Sequence, residues 1–153
     1  MVRRPAWIHP LAATGRQRGL VAFPARRVPI EHFVRQISGV PLTGGQAQTV
    51  VNGAGVATCR VGPQGLGTVW YPSQCTVSTS TGAADASTVA VYLGSQAQQN
   101  LQGGQSYAGG GDTIGLSVVS MTPGDLLIAV WSGAVSGATA VINVLGTMDA
   151  IAY

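Results

Sequence analysis

Residues able to do acid–base, nucleophilic or metal chemistry are few in this chain, and they are badly placed for it. Both histidines, His9 and His32, lie in the first 35 residues, and the remaining 118 hold none. A Ser/His/Asp or Cys/His set needs an imidazole within hydrogen-bond reach of its nucleophile, so the C-terminal part is expected to contain no such set. Glu31 is the one glutamate, and hydrolysis by paired carboxylates would need two of Asp85, Asp112, Asp125 and Asp149. Each of these sits at an expected turn or strand boundary, where aspartate usually bonds local backbone. Cys59 and Cys75 fall on inward parities of their strands, which makes them small core fillers, near enough in principle to pair. Two thiols without a histidine make a poor zinc site, and no EF-hand spacing offers calcium its converging oxygens. The Gly109–Asp112 run is followed by neither a Lys-Ser/Thr pair nor a helix, so it is no phosphate loop. The sequence therefore predicts no catalytic residue, no metal and no cofactor.

The aromatic residues permit a different function. Trp70, Tyr71, Trp131 and Tyr107 could stack on a sugar, although such residues more often anchor cores or interfaces.

The elements that would position these residues read as β-strands. From Gln46 onward, short alternating stretches are separated by turn residues, and no helix is expected after Ile37. Val50-Val51-Asn52-Gly53 carries the pair that favours a tight hairpin. Gly55–Val61 sets Ala57, Cys59 and Val61 on one face. Thr68–Thr81 is extended and interrupted by Pro72, with Val69, Tyr71, Cys75 and Val77 sharing one parity. Thr88–Leu93 points Val89, Val91 and Leu93 inward, and Asp112–Val119 does the same with Ile114, Leu116 and Val118. Pro123-Gly124-Asp125 is a turn before Leu126–Ser132, and Thr139–Thr147 closes the set. The long Gly94–Gly111 segment is either a contact loop or an irregular edge strand near 102–107. Seven or eight such strands predict an all-β fold, an antiparallel β-sandwich of jelly-roll type. Leu126–Trp131 and Ala140–Leu145 are apolar on both faces, and this suggests a homo-oligomer contact through Leu127, Trp131, Ile142 and Val144.

Charge divides the chain in two. The first 35 residues hold seven of the eight arginines against one glutamate, about +6. The rest holds Arg60 against four aspartates, about −3, and there is no lysine. Charged residues make up 8% of the chain, against about 25% in ordinary globular proteins. A body this neutral is expected to cover its surface with copies of itself or with a larger assembly.

Residues 1–42 read as an extended arm broken by Pro5, Pro10, Pro24 and Pro29, and 43–153 as the sandwich. Ile30, Phe33, Val34 and Ile37 fall at helical spacing, so one short helix is expected near 30–37, too short to be stable undocked. The arm would grip a partner through Arg3, Arg4, Arg26 and Arg27 on carboxylates and through Trp7, Phe23 and the helix stripe on apolar surface. Nucleic acid is weakly supported, because few aromatics interleave with the arginines and no recognised binding fold follows. No run is long enough to span a membrane, and the N-terminus lacks the continuous apolar region of a signal peptide. Arg/Pro-rich, lysine-free sequence is also what GC-rich upstream DNA yields when read from an early start codon, with Val28 as the alternative initiator.

Val61-Gly-Pro-Gln-Gly-Leu-Gly-Thr-Val-Trp-Tyr-Pro72, Gly110–Thr113, Met121–Asp125, Trp131-Ser-Gly133 and Gly146–Asp149 together resemble small β-rich virion proteins. These are the decoration or minor-tail proteins of tailed phages and prophages of high-GC actinobacteria. The resemblance runs from about Pro29 to the C-terminus and transfers no catalytic residue. It implies a non-enzymatic β-sandwich of the particle, assembled in the host cytoplasm and bound to capsid, connector or tail proteins. The alternative expectation is a glycan- or receptor-binding module displayed on a virion or cell surface.

Overall fold

The structure is a computed structural model that describes residues 35–81, 87–106 and 111–152. Among the described residues nine strands form two packed antiparallel sheets: β1 (Arg35–Pro41), β2 (Gln46–Val50), β3 (Val56–Val61), β4 (Val69–Thr79), β5 (Thr88–Leu93), β6 (Leu101–Ser106), β7 (Asp112–Gly115), β8 (Leu127–Ser132) and β9 (Thr139–Ala152). One sheet has the order β1-β9-β4-β7, with β2 also paired to β9, and the other has the order β3-β8-β5-β6. An all-β sandwich is what the sequence predicts, with one strand more than expected.

The extra strand is β1, and it replaces part of the expected helix. Arg35, Gln36 and Ile37 pair with Ala152, Ile151 and Ala150 on β9. Of the residues assigned to a helix at 30–37, those from Arg35 onward are strand, and 30–34 lie outside the described residues. The cause is tertiary. β9 offers an unpaired edge beyond Gly146, and a ladder of backbone hydrogen bonds outweighs the weak preference of an eight-residue helix. The boundary placed after residue 42 therefore cuts off a strand that belongs to the sheet.

β9 organises its sheet. Its first half pairs with β2, from Val50↔Thr139 to Gln46↔Asn143, and its second half with β1. Its other edge pairs with β4 across ten residues. The β4–β9 ladder shifts register between Pro72 and Gln74. A proline has no N–H to give, so it is tolerated in a central strand at such a bulge. The shift also exchanges faces: Trp70 points inward before it and Cys75 and Val77 after it, while Tyr71 is 39% exposed. The single parity expected for Val69, Tyr71, Cys75 and Val77 thus breaks at Pro72. Opposite Pro72 stands Gly146, with φ 157°. A Cβ there would overlap the Tyr71 carbonyl oxygen and come within 2.8 Å of Pro72 Cα. Gly146→Ala is expected to cost about 2–3 kcal/mol in a denaturant melt, from backbone strain and the forced shift of β4.

The expected turn at Asn52-Gly53 forms, but not as a hairpin. Asn52 Oδ1 accepts from the backbone N–H of Ala54 and Val56, both at 3.0 Å. The chain then leaves one sheet for the other, since β2 pairs with β9 and β3 with β8. Thr122–Asp125 is a β-turn closed by Asp125 N–H to the Thr122 carbonyl at 2.9 Å. Pro123 is its second residue, and Gly124, φ 105°, supplies the positive φ its third position requires. Of the two readings of Gly94–Gly111, the edge strand holds: β6 pairs with β5 from Thr88↔Ser106 to Tyr92↔Leu101.

The core lies between the sheets. Ala57, Cys59 and Val61 of β3, Val89 and Val91 of β5, and Leu127, Ala129 and Trp131 of β8 face Cys75 and Val77 of β4 and Ala140, Ile142 and Val144 of β9. Each buried Val, Leu or Ile contributes about 1.5–3 kcal/mol relative to exposure.

Candidate functional site

The described carboxylates do not converge. Asp112 opposes Val77 near one end of β4 and Asp149 opposes Val69 at the other. Eight residues of strand separate them by about 26 Å. Asp112 Oδ1 accepts from Thr113 N–H at 2.8 Å. Asp125 Oδ2 accepts from the Thr122 N–H at 2.7 Å and from its hydroxyl at 2.9 Å, and these bonds hold its carboxyl below the usual range. These two behave as turn aspartates should. Asp149 differs, because its partners are remote in sequence. Oδ1 accepts from Gly39 N–H at 2.8 Å, and Oδ2 from the Tyr71 hydroxyl at 3.3 Å. Gly39, φ 65°, lies in the bulge of β1 between Ile37 and Val40. Asp149 thereby pins that bulge to the sheet, and its charge raises the Tyr71 phenol above its ordinary pKa. No spacing rule signals this contact, since the partners are 110 residues apart. Among the described residues no group of three His, Cys, Asp or Glu side chains could hold a metal ion.

Cys59 and Cys75 are buried and free, so the pairing left open by their parities is not made. Cys59 donates weakly to the Ala140 carbonyl, with 3.5 Å between sulfur and oxygen. Burial pushes both thiols up to about 11 from 9.0. The folded state thus favours the neutral thiol. Stability is expected to be independent of these groups below about pH 9 and to fall as pH rises toward 11. Both thiols are buried and held neutral near pH 8, so a thiol reagent should label neither cysteine in the native protein and both after denaturation.

The aromatic platform is dismantled by the packing. Trp70 is 2% exposed and Trp131 0%, while Tyr71 points to the opposite face from Trp70. Tyr107 lies outside the described residues. A shallow groove of about 500 Å³ does run over the outer face of the second sheet, between Thr88, Ala90, Tyr92, Leu101, Val130 and Ser132. It presents hydroxyls and apolar carbons with no charged side chain.

The four residues expected at an oligomer contact are core residues instead. Leu127, Trp131, Ile142 and Val144 are essentially inaccessible within the single chain. β9 alternates over Thr139–Leu145, whereas on β8 Ile128, on the outward parity, is also buried at 4% exposure, and the four expected residues hold the inward parity. The outward parity carries Val130 on β8 and Val141, Asn143 and Leu145 on β9, of which Leu145 is 38% exposed. The inward parity of β8 is fixed by its pairing with β3, where Ala57, Cys59 and Val61 oppose Trp131, Ala129 and Leu127. Of the expected partner-binding residues, Arg3, Arg4, Trp7, Phe23, Arg26, Arg27, Ile30, Phe33 and Val34 lie outside the described residues. Ile37 is half-buried in β1, opposite Ala150.

No protein-family model matches this chain, and no curated protein matches it. Among the described residues no helix is long and apolar enough to cross a membrane.

Proposed function

We propose that the protein is a non-enzymatic structural component of a bacteriophage virion, a capsid decoration or minor tail protein held to its neighbours by its N-terminal arm. The observation that carries this reading is the strand order. With β1 set aside as an addition to the edge of β9, the sheets run β2-β9-β4-β7 and β3-β8-β5-β6. That order supports reading the sandwich as an eight-stranded jelly roll, an architecture used by viral capsid proteins and by lectins. Two further observations favour the particle over the lectin. Both tryptophans of the sandwich are buried and unavailable for stacking on a sugar. The charged residues from Arg35 onward are two arginines and four aspartates. So neutral a surface suits contact with neighbouring subunits better than life as a free monomer.

The arm completes the reading. The six arginines that precede Arg35 suit carboxylates on capsid, connector or tail subunits. Mass spectrometry of purified particles tests the proposal. The protein should be present at a fixed copy number matching a symmetry element of the capsid or tail, and its absence from particles overturns the reading.

A further inference from the structure

At the end of the sandwich where β2 hands over to β3, the core changes character. Ala57, Ala134, Ala138 and Ala140 are buried there, and Trp131 lies between Ala57 and Val89 on its neighbouring strands. Thr79 and Ser87, the buried polar residues among those described, belong to the same end. Thr79 opposes Ala140 on β9, and Ser87 immediately precedes β5, whose Thr88 opposes Ser132. The Thr79 hydroxyl is engaged, 3.2 Å from that of Thr81. Ser87 Oγ and Trp131 Nε1 are both buried without a protein hydrogen-bond partner.

The two residues are neighbours in the sheet. Val89 opposes Trp131, and Ser87, two residues earlier with the same inward parity, is therefore the diagonal neighbour of Trp131. Diagonal neighbours across a ladder stand about 7–8 Å apart, a span that an indole ring largely covers. A buried donor left unpaired loses its hydration with nothing in return, and native interiors satisfy such groups with protein or with ordered water.

We propose that one internal water lies between these side chains, accepting from Trp131 Nε1–H and hydrogen-bonding to Ser87 Oγ. An apolar guest does not fit, because it would leave both polar atoms unsatisfied, whereas a water uses both.

A high-resolution crystal structure of the full chain tests this directly. The expected result is a solvent atom within hydrogen-bond distance of both Ser87 Oγ and Trp131 Nε1. A direct Nε1–H···Oγ bond, an indole turned to a backbone carbonyl, or no solvent beside the two atoms overturns it. Magnetic resonance gives a second measurement. The Trp131 indole proton should show a cross-relaxation peak with long-lived water, and Ser87→Val, which removes the hydroxyl and fills the space, should abolish it. A peak unchanged in that variant overturns the proposal. Trp131→Phe assigns the signal, and if that variant fails to fold, correlations within the ring assign it.

Discussion

Trp131→Ala is expected to lower the unfolding free energy by about 3–5 kcal/mol, and the melting temperature by about 10–20 °C. Trp131 is 0% exposed, with Ala57 and Val89 as its in-sheet neighbours. Those neighbours are too small or too fixed by their ladders to close the hole an indole would leave, so the cavity persists and the full cost is felt. Against a total stability of about 5–15 kcal/mol, such a loss leaves the domain marginal. The comparison that gives this number meaning is Leu145→Ala. Leu145 is 38% exposed on the outward parity of β9, and its truncation should change stability by about 0.5 kcal/mol or less. Calorimetry reads both variants, and light scattering on the same samples separates folding from association. If Trp131 served a contact between copies, its truncation would shift the association equilibrium and leave the melt of the isolated chain unchanged. Equal melts for Trp131→Ala and Leu145→Ala would contradict the core described above.

Much of the sandwich is legible in the sequence, because period-two alternation and turn residues are local signals. Val89 and Val91, Ile114, and Cys59 with Val61 all take the faces their spacing dictates. The failures share one physical cause: in each, a long-range partner decides what local pattern leaves open. Ile37 has helical spacing to Ile30, Phe33 and Val34, yet the vacant edge of β9 takes it into a strand. Tyr71 and Trp70 exchange the faces that uninterrupted alternation assigns them, because the bulge at Pro72 inserts a residue into the ladder. Val51 and Asn52 look like a hairpin, but β3 finds its partner in the other sheet. On β8 and β9, where both parities are apolar, the sequence holds too little contrast to say which face is the core. That no histidine follows His32 is read directly from the composition, whatever the fold. Asp149, joined to Gly39 and Tyr71, shows the opposite limit, a structural role that no spacing announces.

Removing residues 1–34 is expected to leave a cooperatively melting sandwich and to abolish incorporation into particles, whereas removing 1–42 damages the fold itself. The difference lies in β1. Its pairing from Arg35↔Ala152 to Pro41↔Thr147 covers the far half of β9. Gly39 supplies an N–H to Asp149, and Leu42 donates to the Gly146 carbonyl at 3.0 Å. Without β1, a long strand edge with Leu145 and Ile151 on its outer face is opened to solvent, a template for pairing with other chains. The longer truncation should therefore melt earlier and aggregate, and its failure to join particles would say nothing about the arm. The shorter one isolates attachment from folding. Removing 1–27 then separates the two halves of the arm: if incorporation is unchanged, Ile30, Phe33 and Val34 make the contact and the arginine-rich stretch is dispensable. If incorporation is lost, and that of the intact protein weakens as salt is raised, the arginines carry it, because exposed charge pairs are screened beyond about 8 Å at physiological ionic strength. A folded sandwich that still joins particles without residues 1–34 refutes attachment through the arm. The contact would then have to lie on the sandwich, and the uncharged groove over Tyr92, Leu101 and Val130 would be the first surface to substitute.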